Sequence, residues 1–154
     1  MEKQLTITYR ELPLDNLCFE DSMLLNAAIE ATDTSYAPYS NFHVAAAMLM
    51  DDGSIVKGSN QENVAYPSGL CAERTALFSA GVSHHGKAVK ALAIVARTPE
   101  GQLVSAMPCG ACLQVMAEQQ CRQQTPMRVI CYCSQERIIV FDDVESLLPF
   151  GFEM

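Results

Sequence analysis

With 154 residues, 49% of them hydrophobic and only 18% charged, the chain has the apolar content for one sizeable core and needs no disulfides to support it. A net charge of −8 excludes non-specific binding to nucleic acid, because most of the surface repels a polyanion. No apolar run reaches the length of a membrane span, and the opening MEKQLTITYREL lacks the profile of a secretory signal. The seven cysteines are therefore expected as reduced thiols in the cytoplasm, buried or bound to metal.

No repeat, low-complexity tract or linker interrupts the chain, so residues 1–154 read as a single domain, with residues 1–18 preceding the first convincing helix. LTITYR alternates enough for a short edge strand. Met23, Leu24, Ala27, Ala28 and Ala31 recur at helical spacing and predict a helix over about residues 20–34, broken by Pro38. Phe42–Met50 and Ser54–Ser59 flank DDG, a hairpin signal. A loop leads to a helix over about 70–80, with Gly81 as the residue just past its end. AVKALAIVAR reads as a central strand, and a polar connection leads to Pro108 and a helix over about 109–120. MRVICYC and RIIVF are strands joined by SQE alone, too short for a crossover, so they pair antiparallel. The order predicts a three-layer α/β/α sandwich around a mixed five-stranded sheet whose last two strands are antiparallel. Fold alone says nothing of chemistry.

Chemistry enters with the thiols. Cys109 and Cys112 are three apart on a helix face, just after Pro108, where the helix dipole favours thiolate. A lone C-x-x-C leaves zinc binding, redox chemistry and simple core packing all open. Cys71, also at a helix start, makes a third ligand, and three thiolates match a catalytic zinc site with its fourth position open to water. Cys18, Cys121, Cys131 and Cys133 read as small hydrophobes. Two residues of helix turn through about 200°, so Cys71 and Glu73 reach one point only if Cys71 precedes the regular helix. Arg74, three after Cys71, can donate to its sulfur. Zinc with three thiolates is a poor Lewis acid, and a guanidinium with two helix N-termini restores its acidity.

Zinc deaminases carry a Cys or His, one residue, a Glu that is not a ligand, and then Pro-Cys-x-x-Cys. CAE at Cys71–Glu73 and PCGAC at Pro108–Cys112 match the three-cysteine form. The chain further resembles the small homotetrameric cytidine deaminases through YAPYSNFHVAAA, GSNQENVAYPSGLCAERTALF, PCGACLQVM and LLPFGF. The resemblance implies that Asn60 and Glu62 bind the ribose and that Phe42 packs on the pyrimidine. It places Tyr66 and Ala72 at the substrate as well, and has Phe152 reach a neighbouring subunit's site. It implies a Zn²⁺ cofactor, a free nucleoside as the small-molecule partner, no nucleic acid, no membrane, and a homotetramer or at least a homodimer. Two positions depart from the family pattern: Leu113 where arginine is common, and Ala45 where glycine is usual.

The expected reaction is hydrolytic deamination of cytidine or deoxycytidine to the uridine form with release of ammonia, a pyrimidine-salvage step, with Glu73 moving protons. Its rivals are the same chemistry on a blasticidin-type nucleoside or a polynucleotide, a closed structural zinc site, and a thiol-redox protein. The acidic charge and Glu62 weigh against phosphate-bearing substrates.

Overall fold

A computed structural model describes residues 1–152. Along the chain lie β1 (Arg10–Leu12), α1 (Phe19–Ala31), β2 (His43–Met50), β3 (Ile55–Ser59), α2 (Ala72–Ser83), β4 (Val89–Arg97), β5 (Leu103–Val104), α3 (Gly110–Gln123), β6 (Arg128–Ser134) and β7 (Arg137–Phe141). The strands form one mixed sheet in the order β1-β7-β6-β4-β2-β3, with β5 paired to β4. It has seven strands, not the five expected. The two additions, β1 and β5, are three and two residues long, too short to carry a period in the sequence. The edge strand also lies further along than LTITYR: residues 1–9 form no strand, and Arg10–Leu12 pairs antiparallel with Ile138–Val140.

β6 and β7 pair antiparallel across their tight turn, as their short connection demands. The parallel pair is β4 with β6, and α3 lies in the crossover between them. Alternation along the central strands divides the core. Ala47 and Leu49 of β2, with Ala93 and Val95 of β4, pack with Leu24, Leu25 and Ala28 of α1. Met48 and Met50 of β2, with Leu92 and Ile94 of β4, pack with Ala72, Ala76 and Leu77 of α2 and Met116 of α3. Thus α1 covers one face and α2 with α3 the other. In α1 the apolar stripe includes Leu25, and Met23, assigned to it from the spacing, is partly exposed.

Two boundaries differ from expectation in ways that matter. α2 begins at Ala72, so Cys71 lies outside it, and α2 runs through Gly81 to Ser83. Gly81 is therefore an interior helix residue. The left-handed turn falls to Gly86, whose φ is 78°. Across α2, Gly58 of β3 faces Ala72 and Ala76 so closely that no side chain fits between strand and helix. Since β3 and β4 run the same way, the N-termini of α2 and α3 both emerge at the C-terminal end of those strands.

Candidate active site

The helix starts set the geometry. Cys71 is the N-cap of α2, with extended φ −69° and ψ 157°, and Cys109 is the N-cap of α3, with φ −75° and ψ 165°. Cys112, one turn into α3, is fully buried. The Cys71 and Cys109 sulfurs lie 3.9 Å apart, those of Cys109 and Cys112 3.5 Å apart. All three lie within 4.8 Å of one another, and among the described residues no fourth Cys, His, Asp or Glu joins the group. Tetrahedral zinc with Zn–S bonds of about 2.3 Å requires sulfurs about 3.8 Å apart. The three thiols fit that ion in chemistry and spacing, and they leave its fourth position free of protein ligands.

Because Cys71 precedes the helix, the 200° problem disappears, and Glu73, second residue of α2, is free to turn beside the sulfurs. Its side chain is almost wholly buried. Burial raises its pKa above the usual carboxylate range, with the neighbouring Cys71 adding to the effect. Arg74 donates from Nη2 to Cys71 Sγ at 3.5 Å, and its Nε is buried without a partner. The Cys71 thiol is pulled down to about 5, first by hydrogen bonding from Cys112 and then, against burial, by Arg74. Cys112 is correspondingly pushed up by Cys71 and by burial.

Cys71 and Cys109 stand in the wall of a cavity of about 720 Å³, with Cys112 buried behind them. Phe42, Asn60, Glu62, Tyr66, Ala72, Glu73, Arg74, Cys71 and Cys109 all line it. Chain crossings bring them together. Gln61 bridges Tyr36 on one side and Leu70 on the other, which ties the loop after α1 and the loop after β3 to the start of α2. Asn60 Oδ1 accepts from Val44 N at 2.9 Å and from Ser35 Oγ, and its Nδ2 donates to Phe42 O at 2.8 Å. Glu62 accepts from the backbone of Tyr39 and Ser40 and from the Ser40 hydroxyl.

Phe152 does not line this cavity. It lies outside, largely exposed, with its backbone bracketed by the Gln114 amide at 2.9 and 3.2 Å. Leu113 packs partly buried against the core beneath α2 and α3, and Ala45 occupies an ordinary β2 position. Sequence reasoning passed over Tyr39, Ser40 and the Ser105–Met107 wall. For the wall, Ala106 N donates to Tyr132 O at 3.1 Å, a contact with no trace in local sequence. For Tyr39 and Ser40 the only signal is their place beside Phe42. Cys131 is buried within the core, while Cys18 and Cys121 are exposed, so the reading of all four remaining cysteines as buried holds only for Cys131 and in part for Cys133.

Residues 19–127 match the family described as the cytidine and deoxycytidylate deaminase zinc-binding region. The chain belongs to that family. Among deaminases it is 51% identical over 96 residues to the cytidine deaminase of Halalkalibacterium halodurans, covering 62% of this chain and 69% of that one. It is 45% identical over 97 residues to the cytidine deaminase of Mycobacterium tuberculosis, covering 63% and 69%. The crystal structure of cytidine deaminase from Burkholderia pseudomallei superposes with a TM-score of 0.72 at 39% identity, over 84% of this chain and 97% of that one. These deaminase folds share the mixed α/β architecture found here. Among the described residues, no helix is long and apolar enough to cross a membrane.

Proposed function

We propose that the chain is a zinc-dependent hydrolase that deaminates cytidine and deoxycytidine to the uridine forms, releasing ammonia, in pyrimidine salvage. The observation that carries the reading is the three-thiol group with buried Glu73 beside it, opening into a cavity that Phe42, Asn60 and Glu62 also line, in a chain of the deaminase family.

Cys71, Cys109 and Cys112 would hold the zinc, which supplies when bound the Lewis acidity that makes water nucleophilic near neutral pH. Glu73 takes a proton from the attacking water and gives it to ring N3 of the pyrimidine, then takes the proton of the new C4 hydroxyl and gives it to the amine as the C–N bond breaks and the C4 carbonyl forms. A carboxyl whose pKa is raised by burial is suited to both taking and giving that proton. Arg74 draws electron density from the Cys71 sulfur through the 3.5 Å contact. Phe42 stacks on the base, with Tyr66 and Ala72 closing round it.

Asn60 and Glu62 address the sugar, and their inventory is short. Asn60 Oδ1 already accepts two bonds and Nδ2 gives one, so one N–H remains. Glu62 accepts three bonds and keeps about one acceptor position. One donor and one acceptor satisfy a single hydroxyl, which both cytidine and deoxycytidine possess. A phosphate there would meet the Glu62 carboxylate and be repelled. The reading carries with it a single three-layer α/β/α domain, a cytoplasmic location, and a homotetramer in which Phe152, outside its own cavity, reaches a neighbour's.

The test is ultraviolet absorbance on zinc-loaded protein with cytidine and, separately, deoxycytidine. Conversion of both is expected. In parallel, Glu73→Ala retains stoichiometric zinc and loses turnover by about 10²- to 10⁴-fold. Absence of conversion with zinc bound refutes the substrate assignment. Loss of zinc in the Glu73 variant refutes its role.

A further inference from the structure

The loop between α1 and β2 borders the cavity in a tight turn. Asn41 takes the left-handed conformation at φ 54°, tolerable for asparagine, and its N–H donates to Ala37 O at 3.0 Å. Glu62, 22 residues on from Ser40, holds this loop from below. Its Oε2 accepts from Tyr39 N at 2.9 Å and Ser40 N at 3.2 Å, and its Oε1 accepts from the Ser40 hydroxyl. The same hydroxyl oxygen accepts from Phe42 N at 3.1 Å. Ser40 Oγ is thus a single atom bonded both to the carboxylate that addresses the sugar and to the backbone of the ring that addresses the base.

We propose that Ser40 is a positioning residue for nucleoside recognition, its hydroxyl locking Glu62 and Phe42 into one register across the cavity so that sugar and base contacts form together. The proposal rests on the deaminase reading. The Ser40 hydroxyl has the largest share in holding the Glu62 carboxyl below its usual range, which fits a carboxylate whose charge is anchored rather than left to solvent. Among the described residues no lysine or arginine pairs with Glu62, so the anchoring falls to this hydroxyl and the two backbone N–H groups. The competing role is turn formation alone, since a serine hydroxyl accepting from the N–H two residues on is also an ordinary loop device.

Substrate truncation separates the two. Steady-state kinetics of the zinc-loaded protein would compare Ser40→Ala and Ser40→Thr with the unsubstituted protein, on cytidine and on 2′,3′-dideoxycytidine, which keeps the 5′-hydroxyl but lacks the ring hydroxyls assigned to Glu62. Losing a hydrogen bond to a charged group predicts that Ser40→Ala raises KM for cytidine about tenfold while kcat stays within about twofold. The dideoxy substrate should lose less, no more than about threefold, because it still meets Phe42 but makes no ring-hydroxyl contact with Glu62. Threonine keeps the hydroxyl and should restore KM for cytidine to within about threefold. Equal losses on both substrates, a fall in kcat at unchanged KM, or no rescue by threonine would overturn the proposal and leave Ser40 a turn former. If the unsubstituted protein turns over neither nucleoside, the deaminase reading has failed, and calorimetric titration with cytidine then reads Ser40 separately. Weakened binding in Ser40→Ala upholds it, and unchanged binding, or none in either protein, overturns it.

Discussion

Replacing Gly58 with alanine adds one methyl group where strand and helix already touch. A Cβ built on Gly58 stands 2.5 Å from Ala76 N, 2.7 Å from Ala72 O and 2.8 Å from Ala76 Cβ. Ordinary contact lies at about 3.5–4.0 Å, so β3 and α2 must part by roughly 0.7–1 Å. None of the three atoms is the end of a side chain that can swing aside, and the strand is held in register, Gly58 opposite Ala46. Overpacking of this kind costs about 1–3 kcal/mol, and with rigid backbone on both sides the upper end is expected. At about 2–4 °C per kcal/mol for a chain of this size, Tm should fall by roughly 6–12 °C. The displacement matters to function because Ala72 is the first residue of α2, directly between Cys71 and Glu73. Moving that end while Cys109 and Cys112 stay on α3 widens the thiol triangle, and a shift of about 1 Å can cost about 100-fold in turnover. Thermal unfolding, zinc content and deamination kinetics on the same preparation test all three links. A variant with Tm within about 1 °C of the unsubstituted protein would refute the claim that this contact fixes the helix.

Gly81→Ala on the same helix should act with the opposite sign: nothing lies within 4 Å of where the added methyl group would stand and its φ is not left-handed, so a gain of about 0.4–1 kcal/mol is expected in denaturant titration. Gln120→Leu should cost about 2–4 kcal/mol in the same assay, because Gln120 Oε1 accepts from Met127 N at 2.9 Å and Val144 N at 3.0 Å, and the change leaves two buried N–H groups orphaned. Arg128→Met strands Asp21, whose side chain is only 5% exposed, and should cost about 2–3 kcal/mol, below the full penalty of a buried pair because Arg128 is itself partly exposed. Adding Asp21→Ala to that variant should recover part of the loss, which a double-mutant cycle measures.

Much of the site was legible because its chemistry is local. Cys71, Glu73 and Arg74 fall within four residues and Pro108, Cys109 and Cys112 within five, so their types and spacing can be read along the chain. Long alternating strands and the antiparallel β6–β7 pair were legible for the same reason, since period and loop length are properties of contiguous sequence. What is short or distant was not. β5 forms where β4 runs on past its pairing with β6, the edge strand expected at LTITYR falls later, at Arg10–Leu12, where β7 offers it a partner, and Gly81 looks like a helix stop until the loop through Gly86 shows where the chain turns.

The sequence by itself determined the residue types of the thiol group, the carboxyl beside it and the alternation that builds the core. The tertiary structure alone decided that Cys71 stands outside its helix, that sulfurs 38 residues apart meet at 3.9 Å, and that Ser40 ties Glu62 to Phe42. The physical reason is that hydrogen bonds and metal sites are made by distance in space. Distance along the chain shows which groups are present; only the packing of α2 and α3 on one end of the sheet brings them within reach.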